Sequence, residues 1–310
     1  PNERAAMSIK VAVVQKPPVL LDLEATLARA LESLDEAAAA GSKLVVFPEA
    51  YLPGYPTWIW RLRPGGDMAL SGDIHARLHK NAVDIAAGGL DPLREGARKH
   101  GLTVVCGMSE VDSGFSGSTL YNTVVTIGPD GTILNRHRKL MPTMHERVFH
   151  GVGAGDDLGV VELPGSARVG GLICWENRMP LARWSVYQGG PQIWLAPTAD
   201  DSDGWIASMR HIAIEAGAFV VSVPQFIPAS AFPDDFPVAL PDGVDVFGRG
   251  GACVVSPGGD VIAGPLYDAE GIVVADCDLR AALHAKRYFD VVGHYGRTDV
   301  LAPGHQALPS

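Results

Sequence analysis

The chain has 310 residues, 47% of them hydrophobic and 19% charged, with a formal net charge of −10. That is ample material for a large core, and the acidity, with no basic run, argues against nucleic acid and anionic membranes as partners. Cysteines 106, 174, 253 and 277 form no CxxC pair, which points away from a disulfide framework and toward a reducing cytoplasm; there is no apolar run of membrane-spanning length and no signal-peptide core at the start.

In chain order, "IKVAVVQ" (9–15) reads as a strand, and 22–40 as an amphipathic helix closed by Gly41. "KLVVFPE" (43–49) reads as a buried strand, helical patterns cover 73–87 and 91–100, and 101–110 is a further strand. A hairpin follows over 121–134, turning at Gly128-Pro129-Asp130-Gly131. Strands at 168–174, 192–196 and 218–223 bracket helices at 180–188 and 205–216, and a second hairpin spans 252–264. Mixed βαβ units with inserted hairpins predict an α/β layered domain with a mixed sheet, running from 7 to 310 as one unit. Residues 1–6 read as a disordered or vector-derived extension. The irregular segments 50–72 and 224–250 are long for structureless loops, which marks them as candidates to shape a site.

Two patterns imitate known sites without satisfying them. In "HERVFH" (145–150) the histidines stand five apart, about 140° around a helix, whereas a zinc-protease helix needs them four apart. "GVGAGD" (151–156) misplaces the third glycine of a dinucleotide loop and follows no strand, so it reads as a turn. The remaining histidines read as structural or surface groups.

Three other places carry chemistry more convincingly. Glu49 closes an apolar strand, where a carboxylate is costly unless paired, solvated or protonated; a structural ion pair and a general base of raised pKa both fit. "RHRKLMPTMHER" (136–147) reads as a solvated basic loop, except that Lys139 heads a short apolar segment and can point inward, with Glu146 spaced to return to it. Cys174, in "GLICWENRMPLAR", is either a core filler or a nucleophile. The strand end before it and the helix start near Pro180 would lift its sulfur to a sheet edge beside free backbone N–H groups. A carboxylate and a lysine could activate it without histidine.

Together "FPEA", "HRKLMPT" and "CWEN" resemble the nitrilase superfamily of carbon-nitrogen hydrolases over about residues 9–300. "CWENRMPLAR", "FPEAYLPGYP" and "YFDVVGHYGR" (288–297) look most like the true nitrilase branch. The resemblance implies a four-layer αββα sandwich, no metal or organic cofactor, and homodimers that can extend into helical oligomers. It implies Glu49 as general base, Cys174 as nucleophile, Lys139 as stabiliser of the tetrahedral intermediate and Glu146 as a supporting second glutamate. Tyr55, Thr143, His150 and Trp175 fall where the family places substrate-pocket residues. His150 departs from the pattern, since many members carry Trp there, and the chain stops sooner after "GHYGR" than many members do.

The implied reaction converts a small-molecule nitrile to the carboxylic acid and ammonia through a cysteine thioimidate and thioester, with amide as a by-product. The alternatives are an amidase or nitrile-to-amide hydratase with the same residues, and a degenerate scaffold. Of the aromatic residues crowding the loop after Glu49, Trp58 and Trp60 are expected to pack in the core or an interface.

Overall fold

A computed structural model describes residues 8–63, 65–114, 116–165 and 167–301; the extension expected over 1–6 lies outside them. The helices that matter below are α1 (Leu23–Ala39), α2 (Met68–Lys80), α3 (Asp91–His100), α4 (Pro180–Tyr187), α5 (Asp203–Ala216) and α6 (Leu279–Tyr288). One sheet contains β1 (Ser8–Gln15), β2 (Leu44–Val46), β3 (Thr103–Val111), β4 (Leu120–Ile127), β5 (Ile133–Arg138), β6 (His150–Gly151) and β14 (Gly271–Asp278). Its order is β14-β1-β2-β3-β4-β5, with β6 beside β4 and the centre parallel. The other contains β7 (Val160–Leu163), β8 (Ala167–Gly171), β9 (Ile193–Thr198), β10 (Phe219–Pro224), β11 (Phe226–Pro228), β12 (Val246–Val255) and β13 (Val261–Tyr267). There the order is β11-β12-β10-β9-β8-β7, with β13 on β12 and β8, β9 and β10 parallel.

Strand alternation sorts the side chains into layers. Val11, Val13 and Val46 of the first sheet pack on Val169, Leu195, Val221 and Val254 of the second. Ala12, Val14 and Val45 face outward onto Ala30, Leu34 and Ala37 of α1 and Leu93 and Ala97 of α3. On the far side, Trp194, Ala196 and Val220 are covered by Ala182 and Val186 of α4 and Trp205, Met209 and Ile212 of α5. Four layers result, α-β-β-α, as expected.

The departures have local causes. The helix expected at 73–87 is α2, which ends at Lys80 because the chain beyond it joins the sheet. Val83 donates its N–H to Ser109 O at 2.9 Å and accepts from Val111 N at 3.0 Å. The strands expected to reach Glu49 and Cys174 stop at Val46 and Gly171, and in both cases the last residues peel away from the sheet. The chemistry of β14 and α6 went unread in the sequence, although β14 pairs with β1 along its full length, from Ser8 opposite Asp278 to Gln15 opposite Gly271.

Two glycines permit those departures. A Cβ on Gly107 would collide with Pro48 O and Ala50 N, under the turn that carries Glu49. One on Gly171 would collide with Leu195 backbone, just before the chain turns toward Cys174. Neither position has room for a side chain.

Candidate active site

The side chains singled out in the sequence follow the C-terminal ends of β2, β5 and β8, and hydrogen bonds to them and to the end of β9 gather them in one place. Glu49, fully buried, accepts from Lys139 Nζ at 2.6 Å and Asn122 Nδ2 at 2.7 Å through Oε1. Its Oε2 accepts from the backbone N–H of Ala199 at 2.8 Å, so the second sheet holds the first sheet's carboxylate. Gln225 Nε2 donates to the backbone carbonyl of Glu49. Lys139, itself buried, also donates to Glu146 at 3.0 and 2.8 Å, and Glu146 Oε2 accepts from the N–H of Thr143 at 2.7 Å. Lys139 thus sits between two carboxylates, as its spacing to Glu146 suggested.

These groups titrate far from their ordinary ranges. Burial pushes the Glu49 carboxyl up and Glu146 adds to that, against the pull of the Lys139 charge. Burial also raises Glu146, but the charge of Lys139 and the hydrogen bonds from Lys139 and Tyr55 outweigh it and hold it low. Burial alone would lower Lys139; Glu49 and Glu146 overcome it, and the ammonium stays charged. The two carboxylates are therefore unequal, and Glu49 is the one poised to accept a proton.

Cys174 opens a short 3₁₀ turn, Cys174–Arg178, with a left-handed φ of 50°. Its Sγ accepts a hydrogen bond from Thr198 Oγ1 at 3.1 Å, and the next residue, Ala199, is the one that donates to Glu49. The sulfur and the carboxylate are thereby held to adjacent residues of one strand end. Burial, and then the negative charge of Glu49, push the thiol up to about 12, so at rest it is a neutral S–H. Ala50 (φ 47°) and Met144 (φ 44°) are also left-handed. Three of the five non-glycine residues with positive φ among those described thus lie in or beside the site. Each such conformation costs roughly 1–2 kcal/mol, and strain of this kind is held where the surrounding structure enforces it.

A cavity of about 430 Å³ opens above the sulfur, in the size range of a small-molecule site. Tyr55, Thr143 and Trp175 line it together with Cys174, as do Trp60, Arg61 and Phe247 from the two irregular segments. The Tyr55 hydroxyl bonds Glu146. Trp175 donates Nε1 to Asp200 Oδ2 at 2.7 Å. His150 is placed differently from the expectation: it is not among the residues lining this cavity. It is buried behind Glu146 with Nε2 3.2 Å from Ser109 Oγ, and burial lowers it to about 4, so it is a neutral imidazole. Trp58 is fully buried, as expected of it, whereas Trp60 is 47% exposed and faces the cavity, its ring edge-on to His145 at 5.2 Å.

Comparison with known proteins places this geometry in a family. The carbon-nitrogen hydrolase family model matches residues 10–287. The chain belongs to the carbon-nitrogen hydrolases. It is 41% identical to nitrilase 2 of Arabidopsis thaliana over 300 residues, 94% of this chain and 87% of that one. It is 41% identical to an aliphatic nitrilase of Sinorhizobium fredii (strain HH103), over 94% and 93% of the two chains, and 40% identical to a bifunctional nitrilase/nitrile hydratase of Lupinus angustifolius, over 96% and 86%. Among solved structures, a Saccharomyces cerevisiae member of the nitrilase superfamily superimposes with a TM-score of 0.73 at 20% identity, covering 94% of this chain and 97% of that one. A Helicobacter pylori carbon-nitrogen hydrolase gives 0.72 at 18% identity, covering 96% and 99%. At such identities the structures speak for the fold.

This hydrolase also contains a buried network that the sequence reading passed over. His137, taken there for a structural or surface group, bridges Asp157 (Nδ1 to Oδ1, 2.7 Å) and Glu176 (Nε2 to Oε2, 3.0 Å). Glu176 accepts in addition from the N–H groups of Ile173 at 2.8 Å and Leu140 at 2.5 Å, the residues just before Cys174 and just after Lys139. Burial opposes charging of His137, but its two carboxylate partners prevail and raise it to about 9. Thr198, Asn122 and Gln225 were missed as well. The signal available for Thr198 was a lone polar residue in an otherwise apolar strand, "IWLAPT".

Proposed function

We propose that this carbon-nitrogen hydrolase is a nitrilase, converting an organic nitrile and two waters to the carboxylic acid and ammonia, with some amide released alongside. The observation that carries the reading is a buried neutral thiol at the floor of a cavity, joined through Thr198 and Ala199 to a carboxylate of raised pKa. Glu49 takes the Cys174 proton as the sulfur bonds to the nitrile carbon, and the electron pair of the C≡N bond moves to nitrogen, which is then protonated to give a thioimidate. Water adds, and Lys139 together with the Trp175 backbone N–H holds the tetrahedral species. Loss of ammonia leaves a thioester that a second water hydrolyses. Loss of the thiol instead releases the amide.

Glu146 keeps Lys139 in place and charged, while Tyr55, Thr143 and Trp175 shape the pocket; His150 acts from behind Glu146. The likeness to proteins named as nitrilases over more than nine-tenths of this chain favours a nitrile over an amide as substrate, and the relative named for both activities fits a divided product. The four free thiols suit a reducing cytoplasm, and a homodimer is the unit expected of the assembly.

Cys174→Ala should release no acid or ammonia from a panel of aliphatic, aromatic and arylaliphatic nitriles while keeping the native circular dichroism and melting curve. Full activity in that variant would refute the reading. Chromatography of the products separates the amidase and hydratase alternatives. Alkylation of Cys174 ahead of Cys106, Cys253 and Cys277 separates an enzyme from a scaffold.

A further inference from the structure

The irregular segment after Glu49 brings a cation into the cavity that nothing among the described residues balances. Arg61 caps the 3₁₀ turn Thr57–Trp60, its N–H donating to Trp58 O at 2.9 Å, and its side chain lines the same cavity as Cys174. The guanidinium lies 4.9 Å from the ring centre of Phe247 and 5.6 Å from that of Phe232. Its Nε and Nη2 are covered by protein and have no hydrogen-bond partner among the described residues, so a ligand in the cavity meets the rest of the guanidinium. Burial lowers its pKa, and no acidic side chain among the described residues opposes that. The other arginine of the cavity is in a different state: Arg178 pairs with Asp200 at 3.1 Å and stacks on Trp175. The hydroxyls of Thr57 and Thr143, also in the cavity lining, are likewise buried without partners. A guanidinium left without a counter-ion in a cavity lining is costly, and a carboxylate is the group that best offsets its charge.

Resting on the nitrilase reading for the reacting group, we propose that Arg61 is the subsite for a carboxylate carried by the substrate, which is an ω-cyano carboxylic acid with its two ends separated by a spacer. The spacer follows from charge. The cluster beside Cys174 holds two carboxylates against one ammonium, so it repels an anion at the nitrile end, and the carboxylate must lie toward Arg61. Trp60, Ile227 and Phe247 supply an apolar wall between polar ends.

The mononitriles of malonic, succinic, glutaric and adipic acid, each set against the nitrile of equal length that ends in methyl, test this. For one of the longer acids kcat/KM should exceed that of its methyl-ended partner by about tenfold or more, the worth of a charge-assisted hydrogen bond. The malonic compound should be poor. Arg61→Leu should bring the ratio close to one, and Arg61→Lys, which keeps the charge but loses the fork, should keep part of it. Calorimetry on Cys174→Ala, with and without Arg61→Leu, reads the same preference as binding and needs no turnover. Methyl-ended nitriles that bind Cys174→Ala and turn over as well as the acids at every length would overturn the assignment of Arg61. The absence of ammonia from every nitrile would instead sink the nitrilase reading, while the binding ratio would still judge Arg61.

Discussion

Two buried cations stand two residues apart at the end of β5, and each lies between two carboxylates. Lys139 joins Glu49 (2.6 Å) to Glu146 (2.8 Å), and His137 joins Asp157 (2.7 Å) to Glu176 (3.0 Å). The first cluster reaches the cavity through Cys174 and sets the field there. The second is turned the other way: its Glu176 holds the backbone on either side of the reactive groups, at Ile173 and Leu140. A permanent cation occupies the place where charge must persist through a reaction, and a titratable one occupies the place where loops must be pinned. The same motif of one cation and two carboxylates thus serves electrostatics in one case and position in the other.

The sharpest way to break that contrast is at Lys139. Lys139→Met leaves Glu49 and Glu146 buried without their cation, and stability in urea should fall by about 3–5 kcal/mol. Turnover should fall by about a thousandfold, the scale of losing a principal donor to the intermediate. A variant within tenfold of the native rate would end the claim that this cluster is the electrostatic one.

His137→Gln comes next. It keeps a neutral donor between Asp157 and Glu176 but removes the charge, and stability should drop by about 2–3 kcal/mol. Turnover should fall less than in Lys139→Met, in kcat rather than KM, because Cys174 is displaced while the cavity is intact. Equal kinetic damage from the two variants would erase the distinction.

The smallest expected effect is in pH. The native pKa of His137 is raised to about 9 from an ordinary 6.5, so native and unfolded forms are both charged below 6.5 and its stabilisation is complete there. The native form deprotonates as the pH climbs through about 9, and the stabilisation is lost across that window. Melting temperatures of the native protein should decline over that range more steeply than those of His137→Gln. Lys139 contributes no such slope there, because its charge persists.

Much of the site was legible because its chemistry is local. Glu49 and Cys174 stand where an apolar run stops, Lys139 heads a short apolar segment, and Glu146 lies seven residues from the lysine it binds. His137 was obscured by a boundary. The hairpin was expected to end at 134, but β5 continues to Arg138, and carrying its two-residue alternation forward puts His137 and Lys139 on one inward face. Asn122 and Gln225 could not be read at all. They bind Glu49 across 73 and 176 residues of chain, and no local pattern encodes such a pairing. Trp60 was assigned to packing because an aromatic residue in an irregular segment looks the same whether a core or a cavity lies beneath it.

Local periodicity and turn chemistry were sufficient to specify most strands and helices and the layered α/β class, because these depend on neighbours within a few positions; they left Glu49, Lys139 and Cys174 as candidates that the family resemblance singled out. Protonation and company were settled only in three dimensions. Desolvation and Coulomb energy depend on distance through space, and it is the closing of one sheet over the other that holds Cys174 as a thiol, lifts Glu49 above Glu146, and leaves Arg61 in the cavity without a counter-ion among the described residues.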